Sequence, residues 1–486
     1  MNFGVTLDLG LAGWGLFVVY AAGVLTAVDA VMNARTPQGA TAWVFALATL
    51  PLAALPLYWI FGRFKFEDYL DTLRDFDSEI ADGLEKAKEG PLRPFLVANE
   101  RQDDGREVGE MRAFDEMATL PFTRGNDVGL LVNGEATFEA LFEALDAAQS
   151  YILTQFYIVR DDEIGERYKQ HLLDAARRGV TVRFLYDTVG CWKLPTRYKR
   201  ELADAGVHLC PFTGPRNWLK KLRLNFRNHR KITVVDGRVG FVGGHNVGDE
   251  YLGNTEDFPH WRDTHLRVEG PIVQGLQLSF ARDWYYGTRE ELGGLVWEPT
   301  AAEADRTALV MSSGPADEIE TCGLLYTHAI ESAEDRIWIA SPYFVPDGRV
   351  LGALQLAALR GVDVRVLMPR KIDSVLFKWV PYAYLPEVER AGVKVFLYEP
   401  GFMHQKVALV DDDFAIVGTA NFDNRSFRLN FETTVVTQNA DVCADVARML
   451  EHDFERATRI TREDLADKSF AFRFAANATQ LLAPVL

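Results

Sequence analysis

"AARRGVTVRFLYD", residues 175–187, decides the fold because the chain uses it twice: "AALRGVDVRVLMP", residues 357–369, is its second copy. In both, a helix end meets a Gly and an almost continuous apolar run follows. Gly suits the left-handed turn that closes a helix, and a strand without polar alternation is one covered on both faces. The repeat widens on either side. "YILTQFYIVRDD" (151–162) parallels "RIWIASPYFVPD" (336–347), and "ELADAGVHL" (201–209) parallels "EVERAGVKV" (387–395). Further on, "NHRKITVVDG" (228–237) matches "MHQKVALVDD" (403–412), and "WRDTHLRVEG" (261–270) matches "NFETTVVTQN" (430–439), which sets Asp263 opposite Glu432. Each copy reads as strand, helix, strand, helix, strand, then a hairpin. The expected class is α/β, with two tandem domains forming a pseudo-dimer in one chain.

The chain has 486 residues, a net charge of −17, 48% hydrophobic and 25% charged residues. A chain this acidic is a poor candidate for holding nucleic acid by general electrostatics, so a nucleic-acid partner is not expected and any anionic substrate must be met by a local basic patch. Four widely spaced cysteines, Cys191, Cys210, Cys322 and Cys443, show no metal-ligand spacing and read as buried free thiols.

The N-terminus is of another kind. Leu9 to Val28 and Thr36 to Gly62 carry no charged residue. About 20 apolar residues cross a bilayer as a helix, so the pair reads as a transmembrane hairpin. A cleaved signal peptide is the competing reading, but the first ten residues contain no Lys or Arg. Arg63 and Lys65 against a lone Arg35 favour the cytoplasmic side for the large C-terminal portion. The expected division is a hairpin over 1–65, a connector with a helix near 66–88 over 66–124, a first α/β domain over 125–298 and a second over 299–486.

The chemistry sits in the paired hairpins. The first carries His229, Lys231, Asp236, Gly243, Gly244 and Asn246; the second carries His404, Lys406, Asp411, Gly418, Thr419 and Asn421, at identical spacing. Residues two apart on a strand share a face, so His and Lys should project together, with each Asn returning beside them. One His-x-Lys on a strand is usually meaningless. A repeat kept for packing alone would preserve apolar residues, whereas this one preserves His, Lys and Asn.

The duplicated pattern resembles the signature of the phospholipase D superfamily, HxKxxxxDxxxxxxG(S/T)xN, over about residues 125–470. Within it the chain looks most like the bacterial cardiolipin synthases, in "GGHNVGDEYLG" (243–253), "WRDTHLRVEGPIVQGLQLSFARDW" (261–284), "GTANFDNRSFRLNFE" (418–432), the apolar N-terminus and the "LLAPVL" ending. Gly244 departs from the pattern, which has Ser or Thr there. The resemblance implies a phosphatidyl-histidine intermediate, with His229, Lys231, Asp236, His404, Lys406 and Asp411 catalytic. Asn246 and Asn421 would hold substrate, and Asp263 and Glu432 would orient the imidazoles. Arg425 is a candidate headgroup contact. His229 is taken as nucleophile and His404 as acid. The implied reaction joins two phosphatidylglycerol molecules into cardiolipin and releases glycerol, at the cytoplasmic membrane. No cofactor or metal is called for: neutral imidazole can attack a phosphodiester, and lysines and amides can stabilise the charge that builds on it.

"RNWLKKLRLNFRNHRK", residues 216–231, has seven cations and no acid, with apolar residues interleaved. It reads as a lip facing anionic lipid, or as a solvated basic loop. The apolar segment 468–486 either lies on the membrane or completes the second domain. A phospholipase D-type hydrolase, a phosphatidyltransferase with another acceptor and a non-enzymatic membrane scaffold remain as alternatives.

Overall fold

The computed structural model describes residues 9–33, 36–62, 66–97, 109–212, 226–372 and 379–481. Most of the basic lip (residues 216–225) and the "LAPVL" end of the tail (482–486) lie outside the described residues. The chain divides into two compact units, 1–67 with 215–226, and 68–214 with 227–486.

In the first unit helix α1 spans Leu9–Asn33, α2 Pro37–Thr49 and α3 Pro51–Leu57, continued by a π-helical turn at Tyr58–Gly62. Only Gly13–Asn33, among the described residues, is a helix long and apolar enough to cross a membrane. The second leg expected of the hairpin is interrupted, being two short helices rather than one. Leu50 precedes Pro51 and adopts φ −133°, ψ 55°, because the proline ring disfavours α geometry in the residue before it. The two legs still pack together. Gly23 lies so close to the Leu47 carbonyl that a Cβ there would stand 2.7 Å from the oxygen, a small-residue approach of the kind membrane helices use. Asp29, the first charge after the apolar run, accepts a 2.7 Å hydrogen bond from the buried Tyr58 hydroxyl, which satisfies a carboxylate that apolar surroundings would otherwise penalise.

The second unit is built on one sixteen-stranded sheet. In the first half Tyr151–Phe156, Thr181–Asp187 and His208–Phe212 pair in parallel, with helices Glu163–Arg177 and Thr196–Asp204 between them. In the second half Arg336–Ala340, Asp363–Pro369 and Lys394–Tyr398 do the same around Gly348–Leu359 and Val380–Ala391. The repeat is close enough that Asp162 and Asp347 cap equivalent helices through their side chains. Strand Thr123–Val132 pairs with Thr264–Glu269 on one side and, across a bulge between Thr123 and Asn126, with Arg306–Ser313 on the other, joining the halves in one sheet. All four cysteines are buried and free.

Helix α4, Glu67–Glu89, is more than a connector. Tyr69 donates its hydroxyl to buried Asp283 at 2.9 Å and packs against Tyr286 and Phe431, and Phe76 stacks on Tyr285. The C-terminal helix Phe470–Gln480 buries Ala476 and Thr479 and sets Phe472 against Tyr382, while Phe470 and Phe474 stay exposed.

Candidate active site

Two very short strands deliver the histidines. Arg227–Asn228 pairs in parallel with Asn430–Phe431, and the next amide, that of His229, donates to the Phe431 carbonyl at 3.0 Å. Its repeat counterpart, Phe402–Met403, pairs with Trp261–Arg262, and the His404 amide donates to the Arg262 carbonyl at 2.7 Å. Each half thus hydrogen-bonds the entry to its own motif onto the other half's carboxylate-bearing strand.

The carboxylates consequently cross over. His229 Nδ1 lies 2.9 and 3.0 Å from the two oxygens of Glu432, and His404 Nδ1 lies 2.7 Å from Asp263 Oδ2. Glu432 and Asp263 are fully buried. Burial pushes both carboxyls up, but their interactions with the facing rings and with the lysine charges outweigh it and hold them below their ordinary range, His245 and His404 acting on Asp263 and His229 on Glu432. An ionised carboxylate carries no proton to give, so each ring must donate Nδ1–H and leave its Nε2 lone pair bare. Burial keeps the rings neutral: it pulls His229 down to about 4 and His404 to about 3, with the lysines adding to the effect and the carboxylates opposing it.

The two carboxylates are braced differently. Glu432 accepts from Thr419 Oγ1 at 2.6 Å, Ser426 Oγ at 2.8 Å and Asn430 Nδ2 at 3.2 Å. Asp263, one methylene shorter, stays near its own backbone and accepts from the Thr264 amide at 2.8 Å. A Cβ on Gly244 would stand 1.9 Å from Asp263 Oδ1. The missing hydroxyl of the first motif is therefore no defect: the carboxylate occupies its space.

His229 and His404 line one cavity of ≈ 410 Å³ together with Asn246, Asn421 and Arg425. Asn246 accepts from the Ile158 amide at 3.0 Å and donates to Tyr251 at 3.0 Å. Asn421 Oδ1 is buried and meets no hydrogen-bond partner among the described residues. Lys231 and Lys406 are buried beside the histidines rather than forming the wall, each donating Nζ to the carbonyl of its own histidine. Burial, with the Lys406 charge, lowers Lys231 to about 7, although Glu432 opposes it.

Asp236 and Asp411 are not brought to the cavity, which corrects their expected catalytic placement. Each sits in a positive-φ turn at the far end of its motif strand. Asp236 accepts the amides of Gln149, Ser150 and Tyr151, each at 2.8 Å. Asp411 accepts those of Glu334, Asp335 and Arg336, at 2.9, 2.9 and 2.6 Å. A four-residue strand separates these turns from the lysines, so the aspartates fasten the motif hairpin to the start of the neighbouring strand.

The residue between His and Lys is also anchored. Arg230 reaches Asp283 at 2.7 Å, and Gln405 reaches Asp453 at 2.9 Å, where Arg262 also binds at 2.8 Å. Removing one member of such a buried pair costs about 3–5 kcal/mol. Asp423 was missed from the sequence: it borders the cavity, caps the short helix Asn424–Arg428, and burial raises its carboxyl to about 6. Tyr157, whose ring centroid lies 5.1 Å from that of His229, was missed too, and no spacing signal marks it.

A sequence model described as "Cardiolipin synthase, PLD-like domain" matches residues 141–284 and 326–456, and a Phospholipase D-nuclease N-terminal model matches 21–63. The chain is 42% identical to cardiolipin synthase A of Pseudomonas fluorescens over 98% of both chains. Against cardiolipin synthase A of Pseudomonas aeruginosa it is 45% identical over 99% of this chain and 97% of that one. In fold it is similar to the crystal structure of a phosphatidylserine synthase from Haemophilus influenzae, with TM-score 0.56 at 14% identity, covering 78% of this chain and all (100%) of that one. By its two matched halves and its full-length relatives, this chain belongs to the phospholipase D-like cardiolipin synthase family.

Proposed function

We propose that the protein is a membrane-bound phosphatidyltransferase that joins two phosphatidylglycerol molecules into cardiolipin with release of glycerol. The observation that carries this reading is the pair of neutral imidazoles in one cavity, each fixed by a carboxylate from the opposite half. His404 takes up a solvent proton at Nε2 as the anionic lipid binds; His229 Nε2 then attacks the phosphorus, and His404 gives that proton to the departing glycerol oxygen. An anionic phosphodiester between the rings favours that proton on His404, whose other nitrogen already faces ionised Asp263. Arg227 and Arg425 border the cavity with His229. Asn246, Asn421, Lys231 and Lys406 stabilise the charge on the non-bridging oxygens, the lysines by swinging from the histidine carbonyls. The acceptor hydroxyl then returns its proton to His404 as it attacks the phosphatidyl-histidine.

The cardiolipin synthase relatives and the apolar N-terminus support residence in the cytoplasmic membrane. The positions of Arg63 and Lys65 support a cytoplasmic catalytic unit, and α2 with α3 would form a second, kinked leg. Incubation of the purified full chain with phosphatidylglycerol tests the reading. Cardiolipin plus glycerol is the expected outcome; phosphatidic acid alone would make the protein a hydrolase, and no turnover would leave a scaffold.

A further inference from the structure

We infer that Arg227 and Arg425 form a second anion subsite in the cavity, one that holds the phosphodiester of the acceptor lipid. The inference rests on the transferase reading and specifies where its second substrate binds.

The two halves repeat closely, yet the cavity they share is not symmetric in charge. Arg425 stands four residues after Asn421; the residue four after Asn246 is Glu250, which pairs with Arg160 at 3.2 Å. Arg227 stands two residues before His229; the residue two before His404 is Phe402, which is fully buried and packs on Trp261 with ring centroids 4.8 Å apart. His404 is flanked by Trp261, Phe402 and Tyr251, with ring centroids 5.2, 5.7 and 6.4 Å away. The wall around His404 is thus aromatic with an internally paired Arg160–Glu250, and the wall around His229 carries Arg227 and Arg425, the latter facing the Asp423 carboxyl. Burial, reinforced by the Arg425 charge and opposed by Asp187 and Tyr157, holds Arg227 below the ordinary guanidinium range. Two cations kept close in a partly buried wall are favoured by an anion between them.

The reacting phosphate already has its own partners in the paired Asn and Lys residues. The reaction then brings up a second monoanion, one glycerol unit from the first. In that step the acceptor hydroxyl oxygen bonds to phosphorus, the phosphorus–nitrogen bond breaks, and the hydroxyl proton passes to the other imidazole. Like charges resist this approach unless cations meet the acceptor's phosphate. A neutral alcohol or water needs no such subsite.

The test offers the full-length enzyme phosphatidylglycerol in mixed micelles with ethanol as a competing neutral acceptor, and reads cardiolipin against phosphatidylethanol. In Arg425→Gln and Arg227→Gln, made singly, the ratio is expected to fall roughly tenfold or more, the worth of a lost hydrogen bond to a charged group. Arg425→Lys should recover part of it. Glycerol 3-phosphate added to the unaltered enzyme should suppress cardiolipin more than phosphatidylethanol, a readout that needs no variant. Ratios within twofold of the unaltered enzyme in both variants, together with equal suppression of both products, would overturn the subsite. Formation of phosphatidylethanol but no cardiolipin by the unaltered enzyme would instead overturn the reading that phosphatidylglycerol is the acceptor, leaving a phosphatidyltransferase of another kind.

Discussion

Glu432 accepts the Nδ1–H of His229 from across the boundary between the two halves, at 2.9 Å, and Asp263 does the same for His404 at 2.7 Å. Neither half can therefore assemble its own histidine–carboxylate pair. The crossing explains why the chain carries both copies in a single sheet rather than as beads on a string.

The first prediction concerns those carboxylates. Glu432→Gln and Asp263→Asn can donate where the native residue only accepts, and so favour the wrong ring tautomer. Each is expected to lower kcat by roughly 10²–10⁴-fold, the range seen when a histidine loses its orienting carboxylate. Initial rates of cardiolipin formation check this; rates within twofold of the unaltered enzyme would show that the carboxylates are bystanders.

Gly244 gives the second. Gly244→Ser restores the hydroxyl of the sister motif, yet its Cβ meets Asp263 Oδ1 at 1.9 Å. Overpacking of this kind costs about 1–3 kcal/mol. Gly244→Ser should melt at lower temperature and lose activity, while Thr419→Ser, which keeps the oxygen on Glu432, should retain most of both. Equal tolerance at the two positions would contradict the packing.

A third prediction separates stability from chemistry in the motif aspartates. Asp411→Ala strips acceptors from three backbone amides, each worth about 1 kcal/mol when hydrogen-bonded. Thermal stability should fall, and the specific activity of the folded fraction should stay within about threefold. A variant that melts normally but is inactive would put Asp411 into the chemistry.

The fourth concerns Lys231, lowered to about 7 by burial. A lysine binds anions while it is charged, so its contribution is present below that pH and lost as pH rises through it. With tungstate as an inhibitor of constant charge, log Ki plotted against pH should steepen by about one unit of slope above roughly pH 7. Lys231→Arg, which keeps its charge, should lack the break. An unbroken line in the unaltered enzyme would mean that Lys231 does not meet the anion.

Much of this architecture was legible in the sequence because its signals are periodic. The matched Gly-capped strands at 175–187 and 357–369 and the two hairpins fall where the repeat put them. The crossing was not legible. Aligning the copies sets Asp263 against Glu432, but says nothing of which imidazole each meets, and the strands that decide it are two residues long. Asp236 and Asp411 misled for a related reason. Their constant spacing reflects a turn that both hairpins require, and spacing alone does not separate a structural carboxylate from a reacting one. The break at Leu50 was signalled by Pro51, but the unbroken hydropathy around it hid the signal.

The central claim is a covalent intermediate on one of two imidazoles that share a phosphorus atom. Rapid quenching of the full-length enzyme with phosphate-labelled, short-chain phosphatidylglycerol, followed by peptide mapping under alkaline conditions, tests it most directly. An acid-labile label on His229, absent from His229→Ala, is the expected result. A label on His404 would reverse the two roles, and cardiolipin formed with no labelled histidine at any time would contradict the account.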